Sequence, residues 1–273
     1  MLLCAALLMS ASANAATMYI IHGGANAGAP FGGELGTFDS NTGAFVSFGQ
    51  PIAGVGFSGL AVASGQLYAS SSTHALVTMD LAGTVSGSAD FNGSGFSAAT
   101  GDRVNDLTAA PDGTLYAIAR IGGLEQVATV DPLTGELQVI NTLPSGDGFY
   151  SIAYGTDSLF VHNANSPNFA FELDAGTGDI LGNLAGTITG GVLGLGYNAA
   201  DGLLYASDCC NGDALGETMW TIDPITGAVE FIIDFNDDRR IQDIAFAPVP
   251  LPAAVWLFAG GLAMLSRLRR AKR

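Results

Sequence analysis

The chain has 273 residues, of which 38 are glycine, 12% are charged and 48% are hydrophobic. A chain of this length and apolar content can bury a sizeable core, and its many glycines favour short strands joined by turns. Before residue 267 it carries all 25 acidic residues but only four arginines and no lysine. Such a surface repels phosphate backbones, which excludes nucleic acid as a partner.

The first 16 residues, MLLCAALLMSASANAA, form an apolar run that ends in small residues. Ala13-Asn14-Ala15 fits the A-x-A pattern before a signal-peptidase cleavage, so we expect residues 1–16 to be a signal peptide. Its usual basic start is missing, and we therefore expect the true start to lie upstream of Met1.

Two features recur between residues 17 and 248. A strand aromatic recurs every 44 to 49 residues, at Tyr19, Tyr68, Tyr116, Phe160 and Tyr205. An aspartate before a turn recurs every 41 to 51 residues, in the sequences DSNTG, DLAGT, DPLTG, DAGTG and DPITG that begin at residues 39, 80, 131, 174 and 223. Recurrence with a period in the forties is typical of β-propeller blades.

Each repeat holds four short strands, and the third is the clearest. Its strands are expected at residues 106–110, 114–119, 126–131 and 136–140. The first repeat begins at Met18 and lacks a first strand, while residues 243–246 form an orphan strand after the fifth. We therefore predict an all-β, five-bladed propeller closed by pairing of the C-terminal strand with the N-terminal blade. The alternatives are a linear array, or six blades if residues 86–101 hide an extra hairpin.

Cys209 and Cys210 are the only cysteines left after signal removal, so a vicinal disulfide is one expectation and a free pair is another. Two acidic clusters could offer oxygen ligands to Ca²⁺. They consist of Asp208, Asn211 and Asp213, and of Asp234, Asn236, Asp237 and Asp238. Ordinary solvated loops are the alternative, and neither cluster matches an EF-hand.

Other polar residues could meet at the centre or rim of the ring. Asp106 and Asp243 are expected to face a central channel from equivalent first strands, where the other repeats have Gly59, Ser151 and Gly194. The three histidines, His22, His74 and His162, each follow a predicted second strand and could converge on a metal, although their spacing differs. No G-x-S-x-G motif or phosphate-binding loop is present, and no catalytic residue is predicted.

The C-terminal tail has three parts in order. Val249-Pro250-Leu251-Pro252-Ala253 leads into an apolar run that ends at Leu265, and five basic residues follow, at Arg267, Arg269, Arg270, Lys272 and Arg273. The run is short for a bilayer span, but snorkelling arginines could accommodate it, with the basic end in the cytoplasm. A buried C-terminal helix is the alternative.

This tail resembles the PEP-CTERM type of C-terminal sorting signal in its VPLPA variant. The resemblance covers residues 249–273 and implies a protein of a Gram-negative envelope that an exosortase processes. It implies export through the inner membrane and display at the outer surface or release outside the cell. Proteins with this tail are often linked to exopolysaccharide and biofilm production.

Together these features predict a non-catalytic, surface-sorted propeller that binds a protein or an exopolysaccharide through loops on one face. An extracytoplasmic hydrolase, lactonase or oxidoreductase with a metal at the channel mouth is the first alternative. A structural matrix protein is the second.

Overall fold

The computed structural model describes residues 16–23, 33–40, 42–144, 148–163, 170–184, 191–209, 218–234 and 240–247, without the side chains of 191, 208, 209 and 240. These residues form twenty strands and one short 3₁₀ helix at Ala98–Thr100. Residues 1–15 of the predicted signal peptide and the whole predicted sorting tail lie outside the described residues. So do Cys210, Asn211, Asp213 and Asn236 to Asp238. Within the described part of the chain, no helix is long and apolar enough to cross a membrane.

The strands assemble into five antiparallel four-stranded sheets, which we number as blades 1 to 5. Blade 1 contains β1 (Met18–Gly23), β2 (Glu34–Asp39), β3 (Ala44–Gly49) and β20 (Arg240–Phe246). Blade 2 contains β4 (Phe57–Ala63), β5 (Gln66–Ser71), β6 (Ala75–Met79) and β7 (Val85–Asp90). Blade 3 contains β8 (Arg103–Ala109), β9 (Leu115–Ile121), β10 (Leu124–Val130) and β11 (Leu137–Thr142).

Blade 4 contains β12 (Phe149–Tyr154), β13 (Ser158–Asn163), β14 (Ala170–Asp174) and β15 (Ile180–Leu184). Blade 5 contains β16 (Gly191–Asn198), β17 (Leu203–Cys209), β18 (Thr218–Ile222) and β19 (Val229–Asp234). The fold is an all-β, five-bladed propeller, as the repeats predicted. Residues 86–101 add no hairpin beyond β7, so they do not contribute a sixth blade.

Each blade has its inner strand at one edge of the sheet, in the order β20, β4, β8, β12 and β16 for blades 1 to 5. In blade 1 the inner strand is β20, the last strand of the described residues, which pairs with β1 over Met18↔Phe246 to Gly23↔Arg240. The core is divided into five hydrophobic clusters, each packed between two neighbouring blades. Packing between blades therefore supplies most of the buried apolar surface, which a lone blade could not provide.

The aspartate turns behave as their chemistry predicts. In blade 3 the Asp131 carboxylate accepts N–H bonds from Leu133 at 2.7 Å and Thr134 at 3.0 Å, and Gly135 takes φ +70°. These hydrogen bonds lower the pKa of Asp131, the Leu133 amide being the largest cause. The turn thus reverses the chain between the third and fourth strands without burying a charge.

Candidate functional sites

The two faces of the propeller carry different connections. Neighbouring inner strands run in the same direction. Asp106 and Thr108 of β8 accept N–H bonds from Ile152 and Tyr154 of β12, so residue numbers increase together along the two strands. The tight turns between first and second and between third and fourth strands therefore share one face, here called the turn face. The remaining connections share the opposite face, here called the loop face.

The described residues of the predicted cysteine, calcium and histidine sites lie at or near the loop face. Cys209 ends β17 and Asp234 ends β19, both at that face. The rest of both acidic clusters and Cys210 lie outside the described residues, so the vicinal disulfide and the Ca²⁺ sites stay predictions. Two histidines lie inside strands rather than after them, which corrects the expectation for His22 in β1 and His162 in β13.

The histidines do not meet at one point. His22 stacks on Phe45 with a ring-centroid distance of 5.0 Å, whereas His162 Nε2 accepts the Val192 N–H at 3.4 Å across a blade boundary. His74 lies in the β5–β6 turn with φ +62°. Among the residues with described side chains, no three His, Cys, Asp or Glu side chains are grouped so that they could hold one metal ion.

Every inner strand is bulged at the same place. The register to the second strand shifts beside Ser58, Asn105, Tyr150, Leu193 and Gln242. A bulge inserts one extra residue and redirects the residue beside it. The residues that follow these bulges, Gly59, Asp106, Ser151, Gly194 and Asp243, are therefore equivalent in register. These are the same five residues that the sequence repeats predicted to be equivalent.

The two aspartates of this set are buried at the propeller axis rather than exposed in a channel. Asp106 and Asp243 are both 0% exposed, and their carboxyl groups lie within hydrogen-bonding reach of each other. Burial raises the pKa of both carboxyl groups; for Asp106 the charge of Asp243 is the next cause. A substrate on the protein surface cannot reach either group.

Backbone amides from four blades surround this pair. Asp106 accepts N–H bonds from Leu107 at 2.6 Å and from Ile152 of blade 4 at 2.7 Å. Asp243 accepts from Ile244 at 2.7 Å and from Leu60 of blade 2. The carboxylates therefore join inner strands that no backbone ladder joins, and they hold neighbouring blades in register.

Glycine at two of the equivalent positions lets the inner strands approach closely. A Cβ atom on Gly59 would lie 2.7 Å from the Asp106 Cα, and one on Gly194 would lie 2.7 Å from the Asp243 Cα. Below the pair, toward the turn face, the axis widens into a cavity of about 40 Å³ lined by inner-strand residues that include Leu60, Thr108 and Ile244.

A larger groove opens on the turn face between blades 4 and 5. It has a volume of about 550 Å³, and its lining comes from the β12–β13 turn, blade 4 strands, β16 and the β18–β19 turn. The lining residues are Thr156, Asp157, Ser158, Phe160, Glu172, Leu181, Tyr197, Pro224 and Ile225. Of the two aliphatic side chains, Leu181 is 61% exposed and Ile225 is 92% exposed.

The polar groups of the groove are held in place. Ser158 Oγ donates to Glu172 Oε1 at 2.8 Å, and the hydroxyls of Thr156 and Tyr197 lie 3.2 Å apart across the blade boundary. Sequence reasoning missed this groove because its residues come from five segments. The one available signal was Ile225, a large apolar residue at the tip of a DPITG turn.

Comparison with known proteins supports the fold alone. No family model and no curated protein matches this sequence. A chain of the nidogen/laminin complex is similar in structure, with 14% identity over 80% of this chain and 78% of that chain and a TM-score of 0.51. TolB from Acinetobacter baumannii has 16% identity over 81% of this chain and 53% of its own, with a TM-score of 0.50.

A TolB-like protein from Agrobacterium tumefaciens has 17% identity over 81% of this chain and 70% of its own, with a TM-score of 0.49. The likeness to the nidogen/laminin chain and to TolB from Acinetobacter baumannii supports a β-propeller fold for this chain. At these identities the likeness assigns neither a ligand nor an activity to the chain.

Proposed function

We propose that the chain is an exported, surface-sorted, non-catalytic propeller of a Gram-negative envelope that binds another envelope protein. The apolar N-terminal run and the VPLPA-type tail support the export and sorting. The groove between blades 4 and 5 carries the binding proposal, because it combines exposed aliphatic side chains with fixed polar groups. In this proposal an exosortase processes the tail, and the protein functions at the cell surface or in the biofilm matrix.

The chemistry of the groove favours a protein segment with apolar and basic side chains. Leu181 and Ile225 expose aliphatic surface that a bound apolar side chain would remove from water. Asp157 and Glu172 add carboxylates, and no basic residue is among those that line the groove. The formal net charge of −16 would attract a basic partner from a distance and repel an acidic polysaccharide.

The first test compares two equivalent turn tips. Ile225 in DPITG and Leu133 in DPLTG occupy the same turn position and are 92% and 87% exposed, but only Ile225 lines the groove. A photo-cross-linking residue at position 225 is expected to capture an envelope protein in the native host, and the same residue at 133 is not. Ile225→Ser is expected to raise the Kd for that partner roughly fivefold or more, and Leu133→Ser is expected to leave the Kd unchanged.

Equal cross-linking at both positions, or equal affinity of the two variants, would contradict binding in the groove. Capture of a polysaccharide instead of a protein would replace the ligand class while keeping a binding function. Turnover of ester or lactone substrates by the purified protein, lost on removal of a bound metal, would favour the enzyme alternative.

The sorting proposal has its own test, which does not involve the groove. Processing near Val249 would remove about the last 20 residues, because the motif lies at the start of the tail. Intact mass of the protein from its native host, measured with cell fractionation, is expected to show this loss. A full-length tail in the inner membrane would contradict sorting and indicate a membrane-tethered propeller.

A further inference from the structure

Three buried side chains with oxygen atoms lie at the propeller axis, and a bound cation would stabilise them. We propose that Asp106, Asp243 and Ser151 bind one hard divalent cation, Ca²⁺ or Mg²⁺, at the centre of the fold. This site is distinct from the acidic loop clusters, and it does not depend on the ligand proposed for the groove.

Two carboxyl groups meet here without a basic partner. Asp106 and Asp243 are fully buried, lie within hydrogen-bonding reach of each other, and have no basic side chain among their interactions in the described residues. Two adjacent carboxylates repel each other strongly at low dielectric, so at neutral pH the pair needs a shared proton or a cation. Each of the four carboxylate oxygens accepts one backbone N–H, and the Leu195 amide is a further donor to Asp243. A carboxylate oxygen has two lone pairs, so those that the amides do not use are left for a cation.

Ser151 is the independent observation that favours the cation. Its side chain is 0% exposed, and its Oγ has no hydrogen-bond partner among the described residues. It follows the blade 4 bulge at the same register position as the two aspartates, so its side chain is directed toward the same axis. A buried hydroxyl without a partner is costly, and coordination of a metal ion through its oxygen would satisfy it.

The ligand set defines the class of ion. Carboxylate and hydroxyl oxygens suit hard cations such as Ca²⁺ and Mg²⁺, and two carboxylates balance a divalent charge. The third ligand is a serine hydroxyl, so this site is compatible with the absence of any group of three His, Cys, Asp or Glu side chains among the described residues. A cavity of about 40 Å³ lies further along the axis toward the turn face, and it is lined by later residues of the inner strands rather than by the three proposed ligands.

The test measures metal content and thermal stability of the full-length protein. After dialysis against limiting Ca²⁺ or Mg²⁺, elemental analysis is expected to show about one more bound ion per molecule in the wild type than in the double variant Asp106→Asn/Asp243→Asn. At pH 8, free metal at about 100 times its Kd is expected to raise the Tm of the wild type by roughly 5–10 °C relative to EDTA. The double variant is expected to show no such rise.

Two further variants keep the test decisive if the double variant does not fold. Ser151→Ala removes one ligand but neither carboxylate, and it is expected to weaken the affinity for the metal roughly tenfold. Asp90→Asn neutralises an exposed acid away from the axis and is expected to bind metal as the wild type does. The proposal would be overturned if the double variant kept the ion, or if Ser151→Ala bound the metal as tightly as the wild type. It would also be overturned if the wild type had the same Tm with metal and with EDTA.

Discussion

Asp106 and Asp243 are acidic residues in a place that water does not reach, and their protonation is coupled to folding. Burial is the main cause that raises their pKa values, and it raises the pKa of Asp243 to about 8. In the unfolded chain both carboxyls return to about 3.9. Without a metal, the folded protein therefore binds protons more tightly than the unfolded chain does.

This difference predicts the pH dependence of stability in EDTA. The contribution of the pair is fully present below about pH 4 and is lost as the pH rises through the raised folded values. For Asp243, the free energy of unfolding is expected to fall by up to about 1.4 kcal/mol per pH unit between pH 5 and 8, and the raised pKa of Asp106 acts in the same direction. Asp243→Asn removes one proton-binding group, so its Tm is expected to fall less over that range. Parallel Tm profiles for the two proteins would contradict the coupling.

The aspartates of the turns act in the opposite direction. Backbone N–H bonds lower the pKa values of Asp80, Asp131, Asp174 and Asp223. Their contribution is present above the unfolded pKa and is lost as the pH falls through the lowered values. Acid therefore weakens the turns while it favours the axial pair, and for this reason the pair is best measured above pH 5.

At the scale of elements, the inner strands are the parts under the tightest spatial constraint. Ser58 Oγ joins the inner strands β4 and β8 by donating to the Val104 carbonyl at 3.1 Å. Ser207 Oγ, in the second strand of blade 5, donates to the Ile241 carbonyl of the inner strand β20 at 3.0 Å. The five bulges set the residues that reach the axis. The outer strands pack against fewer neighbours and expose residues such as Val46 and Phe231.

The substitution Gly194→Ala tests this constraint. The added methyl group would lie 2.7 Å from the Asp243 Cα and 2.9 Å from Ser207 Oγ, so β16 and β20 must separate. The free energy of unfolding, measured by urea titration, is expected to fall by about 1–3 kcal/mol. The matched control is Gly182→Ala in β15, where no atom lies within 4 Å of the new methyl group. We expect Gly182→Ala to leave stability unchanged or slightly higher, and similar losses in both variants would contradict the argument.

At the scale of the whole molecule, the pairing of β20 with β1 brings the two ends of the described chain together. Met18 and Ile20 of β1 pack in one cluster with Ile241 and Ile244 of β20 and with Met219 of blade 5. β20 also carries Asp243. We propose that this strand closes the ring, so that removing it exposes the edge of β1 and the core between blades 5 and 1.

Two truncations separate this role from that of the tail. A chain that ends at residue 239 lacks β20 and is expected to lose its cooperative unfolding transition in calorimetry. A chain that ends at residue 248 keeps β20 and lacks only the sorting tail, so its Tm is expected to stay within about 2 °C of the full-length value. Cooperative folding of the shorter chain at a similar Tm would contradict closure by β20.

The sequence by itself determined the all-β class and the number of blades, because strand alternation and turn chemistry depend on neighbouring residues. In blade 3 the predicted strand at 114–119 appears as Leu115–Ile121, and the Asp131 turn forms the hydrogen bonds that its chemistry requires. It also identified Asp106 and Asp243 as equivalent, since both hold the same place in their repeats.

Only the tertiary structure decided what these residues do. The contact of Asp106 with Ile152 joins residues 46 positions apart, and the contact of Asp243 with Leu60 joins residues 183 positions apart. Their burial depends on bulges and on glycines in neighbouring blades, which no local pattern specifies. The groove likewise exists only where blades 4 and 5 meet. Local sequence can specify a strand or a turn, but a site formed by several blades depends on how those blades pack.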